Sequence, residues 1–269
     1  MADQRGAESD ILNGAETIDL QEEGSKGVLL LHGFGDTPQT LTLLARRLRK
    51  AGYGVFAPLL PGHGRTMRAF NESNADEWIV ASEKALEKMQ SRYTDVSVVG
   101  LSMGGALATI VAAANETVRS LVLIAPYLGM PLPLRLAART HWLWGPLAGE
   151  VNARNPRSIK NPIEREKNLA YGAVTSRALF ELWKVVRRAR KTLSAVVVPT
   201  LVIQSREDPR IAPGVAEWVL AQLASRDKKL VWVEGGHIIT VDYGRERVFT
   251  EVERWLAQHG SSIATAAGG

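Results

Sequence analysis

Cysteine is absent from the 269 residues, which excludes disulfides, zinc–thiolate sites and a Cys nucleophile. Histidine is scarce: His32, His63, His141, His237 and His259 are the five. No two of them stand in an H-E-x-x-H pattern, so a zincin-type metal site is not encoded. Long apolar runs are also missing; Gly27–Leu31 and Leu121–Pro126 are far too short to span a bilayer. Met1–Asp10 is polar and acidic, without the basic and apolar regions of a leader. The expectation is therefore a soluble, cytoplasmic protein. The 24 Gly and 12 Pro follow no period, which excludes a fibrous repeat. What is present, 45% hydrophobic and 23% charged residues, is the composition of a globular chain.

The net charge of +5 is unevenly spread. Between Met130 and Ala195 stand thirteen Lys and Arg against four Glu (Glu150, Glu164, Glu166 and Glu181). That segment is net +9, so the remainder is net −4. The basic character belongs to one segment, which argues against a nucleic-acid partner.

Outside that segment the pattern alternates between buried strands and helices. Val28–Leu31, Gly54–Ala57, Val96–Val99, Val118–Ala125, Thr200–Gln204 and Lys229–Val233 read as strands. Asp36-Thr37-Pro38 supplies a helix start, followed by Leu41, Leu44, Ala45 and Leu48 on one helical face. Asn74-Ala-Asp-Glu77 resembles a capping box for a helix reaching about Gln90. Met103–Ala114, Val215–Ala224 and Arg245–Gln258 complete the helices. The alternation predicts an α/β fold with a mostly parallel central sheet flanked by helices. The Pro- and Arg-rich stretch 128–195 breaks the rhythm and reads as an inserted helical cap subdomain. The core then comprises 16–127 and 196–259, with flexible tails at 1–15 and 260–269.

Gly100-Leu101-Ser102-Met103-Gly104 fits G-x-S-x-G between a predicted strand and a predicted helix. The chemistry needs Ser on a sharp, exposed turn, where side chains two before and two after it would collide. A Ser nucleophile needs a base and an acid to orient that base. Asp208 follows the strand Thr200–Gln204, and His237 follows Lys229–Val233. All three residues thus fall at C-terminal strand ends, where open α/β sheets build their sites. Glu207, adjacent to Asp208, is a competing orienter, and Asp242 reads as a cap for the last helix. Asp227 falls in a polar turn. His32 and His63 read as buried residues that shape loops, His141 as a cap residue, and His259 as solvated.

With Leu30-Leu-His32-Gly33-Phe34, Leu60-Pro61-Gly62-His63-Gly64, Gly100–Gly104, Glu207-Asp208 and His237–Asp242, the chain resembles the α/β-hydrolases. Within them it is similar to the bacterial carboxylesterases and monoacylglycerol lipases. The resemblance covers Gly27 to about Ala257 and is weakest in the cap. It implies a serine hydrolase of short- to medium-chain esters, monoacylglycerols included, acting through an acyl-enzyme. Catalytic roles fall to Ser102, Asp208 and His237. The backbone amides of Phe34 and Met103 become the oxyanion hole, where losing one donor costs about 3–4 kcal/mol. No metal or cofactor is implied. The expected partner is a small-molecule ester, not nucleic acid, with a weak contact between the basic cap and lipid surfaces as a further expectation. Two alternatives stay open at this point: a carbon–carbon bond hydrolase of acidic substrates, and an inactive binding module on the same fold.

Overall fold

The computed structural model describes residues 10–260. In chain order its strands and α-helices are β1 (Ile18–Leu20), β2 (Lys26–Leu31), α1 (Thr42–Lys50), β3 (Gly54–Ala57), α2 (Met67–Glu72), α3 (Ala75–Gln90), β4 (Asp95–Leu101), α4 (Met103–Ala113) and β5 (Leu121–Ile124). They continue with α5 (Leu132–Arg139), α6 (His141–Ala148), β6 (Glu150–Asn152), α7 (Pro162–Lys167), β7 (Ala173–Thr175) and α8 (Ser176–Thr192). The last four are β8 (Thr200–Ser205), α9 (Pro213–Gln222), β9 (Lys228–Val233) and α10 (Arg245–His259).

Among the described residues one seven-stranded sheet runs in the order β1-β3-β2-β4-β5-β8-β9. Every pairing in it is parallel except β1 with β3. Alternate side chains of the central strands feed two cores. Leu29, Leu31, Val98, Leu121 and Leu123 face a cluster shared with α3, α4 and α8. Val28, Leu30, Val99, Val122 and Ile124 face the other, closed by Leu44 and Leu48 of α1 and by Val248 and Leu256 of α10. Burial on both faces explains why these strands read as unbroken apolar runs.

The local starts follow the sequence closely. Thr37 caps a short 3-10 turn with Pro38 at its first position, and that turn leads into α1. Asn74 and Glu77 form the reciprocal capping box of α3. The sheet order reverses at β2: the chain steps from β2 to β3, then returns to place β4 on the other side of β2. The loops after β2 and β4 therefore open onto one crevice, the usual place for an α/β site.

Several expectations need correction. Residues 10–15 are not a loose tail, because the Leu12 N–H donates to the Gly64 carbonyl at 2.8 Å and Ala15 is fully buried. Gly260 is also buried; positions 1–9 and 261–269 lie outside the described residues. The segment between β5 and β8 is not made of short helices alone. It contains the antiparallel pair β6–β7 and the 17-residue α8. Ala178, Leu182, Val185, Val186 and Ala189 of α8 pack into the first core, a helical stripe hidden in sequence by the intervening arginines. Strand β1, three residues long at the sheet edge, carries too little pattern to be read.

The two-core arrangement gives a direct expectation. Leu30→Ala, at a fully buried position, should lower unfolding free energy by about 2–5 kcal/mol. Leu132→Ala, on exposed α5, should stay within about 0.5 kcal/mol of the parent. Urea unfolding of both variants measures the contrast, and equal losses would contradict it.

Candidate active site

Ser102 is held at φ +57°, ψ −117°, between the end of β4 and the start of α4. A non-glycine residue at positive φ is strained and persists only when its surroundings enforce it. Here the enforcement is steric. A Cβ on Gly100 would collide with the Gly104 carbonyl, and one on Gly104 would collide with the Leu31 carbonyl. The absence of both side chains lets α4 press against β4 and β2. The Ser102 N–H donates to the Ile124 carbonyl at 2.9 Å, while its own carbonyl accepts from Tyr127 N at 3.0 Å.

The structure brings Ser102, His237 and Asp208 together. His237 Nε2 lies 2.8 Å from Ser102 Oγ, and His237 Nδ1 lies 2.8 Å from Asp208 Oδ2. A carboxylate can only accept, so Nδ1 donates, which leaves Nε2 to accept the Ser102 proton. Asp208 is further held by Gln204 Nε2 at 2.9 Å on Oδ2 and by the amides of Arg210 and Ile211 at 2.7 and 3.1 Å on Oδ1. Burial pushes its pKa up, but the electrostatic attraction of His237 and these hydrogen bonds outweigh that, and the net pKa is below the ordinary Asp value. Asp208 thus stays a carboxylate beside the imidazole.

The loop after β2 packs on the same spot. A Cβ added to Gly33 would sit 3.4 Å from Ser102 Cβ, so the Phe34 segment borders the serine. Met103 is the first residue of α4, where a backbone N–H has no intrahelical acceptor. The two amides named from sequence therefore belong to segments that meet at Ser102. The side chains have different surroundings: Met103 is buried in the first core, while the Phe34 ring packs 5.0 Å from Phe70 and 6.0 Å from Trp78.

The other histidines sort by burial. His32 Nε2 accepts from Leu60 N–H at 3.1 Å, so Nδ1 carries the hydrogen donated to the Gly33 carbonyl at 2.9 Å. It braces the loop as a neutral ring, with burial lowering its pKa to about 4. His63 is buried edge-on to it at 5.0 Å, and burial holds its pKa well below the ordinary value. His141 stacks on Phe180 at 4.2 Å. His259 is not solvated: it packs 4.3 Å from the Trp255 ring, with Asp227 at 3.4 Å. Glu207 is exposed and ion-paired to Lys160, away from His237 Nδ1.

Asp242 is a correction of a different kind. The last helix is preceded by Gly244 without a side-chain cap, so Asp242 does not cap it. Its carboxylate accepts four backbone N–H groups: Gly236 at 2.7 Å and Lys160, Asn161 and Tyr243 at 2.9 Å. The Ser158 carbonyl accepts from both His237 and Ile238 amides, at 2.8 and 2.9 Å. Residues 158–161 of the segment between β5 and β8 therefore hold the loop that carries His237. Arg210 adds to the tie, donating to Ser158 Oγ at 3.0 Å and to the Ala153 carbonyl at 2.6 Å. Sequence reasoning missed this brace because its partners are backbone atoms some eighty residues upstream.

Two outcomes test these assignments. Asp242→Ala strands buried amides and should cost about 2–4 kcal/mol of stability while loosening the His237 loop. Turnover should fall with little change in KM; an unaffected rate would contradict the brace. The second outcome concerns acid. The unfolded chain protonates His32 below about 6.5, whereas the folded chain resists until about 4. The stability from His32, about 3 kcal/mol, is present above pH 6.5 and is lost as pH falls toward 4. His63 acts in the same direction. Buried Asp36, its pKa pushed up to about 6, acts oppositely, since the folded form takes its proton first. Two imidazoles against one carboxyl leave a net loss. The urea midpoint should fall between pH 7 and 4.5, and more steeply in Asp36→Asn; a flat profile would contradict the buried neutral rings.

The comparisons with known proteins agree with this geometry. The family model described as serine aminopeptidase, S33, matches residues 23–242. A thermostable monoacylglycerol lipase of Bacillus sp. (strain H-257) is 30% identical over 254 residues, covering 93% of this chain and 97% of the relative. A carboxylesterase of Bacillus subtilis (strain 168) is 27% identical, covering 87% of this chain and 93% of the relative. A solved structure described under LipS and LipT, two metagenome-derived lipolytic enzymes, superposes with a TM-score of 0.85 at 29% identity. That match covers 93% of this chain and all of the other.

Proposed function

We propose, for a chain that belongs to the serine aminopeptidase S33 family of α/β-hydrolases, the hydrolysis of carboxylic esters by a serine nucleophile. The observation that carries the reading is the continuous hydrogen-bonded chain from Ser102 Oγ through His237 to Asp208. In the proposed cycle Ser102 Oγ attacks the ester carbonyl carbon as His237 Nε2 takes its proton. The oxyanion accepts from the Phe34 and Met103 amides. His237 then returns the proton to the leaving alkoxide, and the C–O bond breaks to leave an acyl-Ser102. Water, deprotonated by the same imidazole, releases the acid and restores the serine. Asp208 keeps the imidazole in the donor-at-Nδ1 form and balances the imidazolium.

The substrate class proposed is short- to medium-chain monoesters, monoacylglycerols included. Its support is the two relatives named for a monoacylglycerol lipase and a carboxylesterase. The same names disfavour a carbon–carbon hydrolase and an inactive module. The insertion 128–195 is proposed as a cap over the acyl pocket. Acyl-length preference should be gradual, since each methylene contributes about 0.8 kcal/mol. The family description raises peptide hydrolysis as a second reading. An aminopeptidase must hold a substrate ammonium, usually with carboxylates, and the insertion offers only four against thirteen cations.

Ser102→Ala should lower ester turnover about 10³-fold or more with an unchanged thermal midpoint. The specificity constant should be highest on a monoacylglycerol, ahead of a triacylglycerol of the same chain, an acidic dienoate and an aminoacyl anilide. Preference for any of the last three would overturn the substrate assignment.

A further inference from the structure

Phe34 stands between two glycines, Gly33 and Gly35. Glycine takes either hand of the backbone at no steric cost, and Gly35 is held at φ +64°. A loop of this composition does not fix its own amides, so its neighbours must. On one side the holder is His32. The Gly33 carbonyl and the Phe34 N–H belong to one planar trans peptide, so fixing the first aims the second. His32 Nδ1–H donates to that carbonyl at 2.9 Å, and the Asp36 N–H donates to it at 3.3 Å. These bonds orient the peptide before Phe34. The far side of the loop, at the Gly35 carbonyl, is left to another segment.

That segment belongs to the insertion between β5 and β8. The Tyr171 N–H donates to the Gly35 carbonyl at 3.0 Å. The Tyr171 side chain anchors this amide from its other end. Its O–H donates to the Gly62 carbonyl at 2.8 Å and accepts the Arg65 N–H at 3.0 Å, in the loop after β3. Its ring stacks on Phe70 at 5.0 Å, and Phe70 in turn packs 5.0 Å from Phe34. A Cβ on Gly35 would lie 3.7 Å from Tyr171 Cδ2 and 3.8 Å from Phe70 Cζ, so both rings rest directly against the loop. Further along the chain Gln39 Nε2 donates to the Lys167 carbonyl at 3.1 Å, a second tie between the same two segments. A tyrosine that only filled space would leave its phenol and its amide to water. Here amide, phenol and ring all act on the segment that carries the Phe34 N–H.

We propose that Tyr171 is a positioning residue of the oxyanion hole, fixing the Phe34 amide through the Gly35 carbonyl without touching substrate. The inference rests on the ester reading and deepens it. The neutral carbonyl of a bound ester feels a displaced donor weakly, whereas the negative oxygen of the tetrahedral intermediate feels it strongly. Loss of the clamp therefore acts on turnover rather than on substrate binding. The insertion then holds both halves of the site: the His237 loop through residues 158–161, and the oxyanion donor through Tyr171.

The test compares the full chain with Tyr171→Phe and Tyr171→Ala, using p-nitrophenyl butyrate as substrate and an alkyl trifluoromethyl ketone as probe. Ser102 Oγ adds to the ketone carbon, its proton passes to His237, and the carbonyl oxygen becomes the alkoxide that the hole must hold. Tyr171→Phe keeps the ring on Phe70 and loses the phenol bridge, so kcat should fall about three- to tenfold. Tyr171→Ala loses both, and kcat should fall about 10- to 100-fold. KM should change little in either variant. The inhibition constant of the ketone should rise by the factor by which kcat/KM falls. Unchanged turnover, a loss carried by KM, or a ketone bound as tightly as by the parent would overturn the proposal, even where the thermal midpoint drops. If Tyr171→Ala does not fold, Tyr171→Phe decides by the same readings. A parent that turns over no ester contradicts the ester reading and overturns the inference with it. A parent that does, with variants that match it, overturns the inference alone.

Discussion

The constraint on which the site depends is the close approach of α4 to β4 and β2. It exists because Gly100 and Gly104 have no side chains, and either Cβ would meet a backbone carbonyl. That approach forces Ser102 to positive φ, lifts its hydroxyl out of the turn, and sets the first amides of α4 beside the loop that follows β2. The strain is tolerated because β2 and β4 pair over six residue positions and α4 is buried along nearly its whole length. Stability of the two cores is thus what maintains the geometry of one serine.

The histidine side of the site rests on a different foundation. His237 lies on a loop after β9, and that loop is held from outside the sheet by the Ser158 carbonyl and, through Asp242, by the amides of Lys160 and Asn161. The nucleophile is therefore positioned by the core, while the base is positioned partly by the insertion. A change in the insertion can reach the chemistry through residues 158–161 without any contact to substrate. Glu181 provides a second link between insertion and core, its buried carboxylate accepting the Ala75 amide at the start of α3.

Much of this was legible in the sequence, for physical reasons. Strands buried on both faces appear as continuous apolar runs, so β2, β4, β5 and β8 were visible. Ser102 and Asp208 each follow such a run, while His237 follows β9, an edge strand buried at only two of its six positions, and a site at strand ends inherits that visibility. The two glycines could be understood from the turn they border. What stayed hidden lacks a local signature. Asp242 works through backbone amides distant in sequence, and nothing in its neighbours announces them. The β6–β7 pair is three residues long on each strand with no alternation. Helix α8 masks its apolar stripe with arginines. Ala15 is buried only because the chain folds back against Gly64.

The central claim is that Ser102 is the nucleophile activated by His237. The most direct measurement is reaction of the folded chain with a fluorophosphonate, followed by mass-spectrometric location of the adduct. The account predicts a single adduct on the peptide carrying Ser102, formed far more slowly in His237→Ala and absent in Ser102→Ala. An adduct on another residue, or labelling that persists in Ser102→Ala, would contradict it.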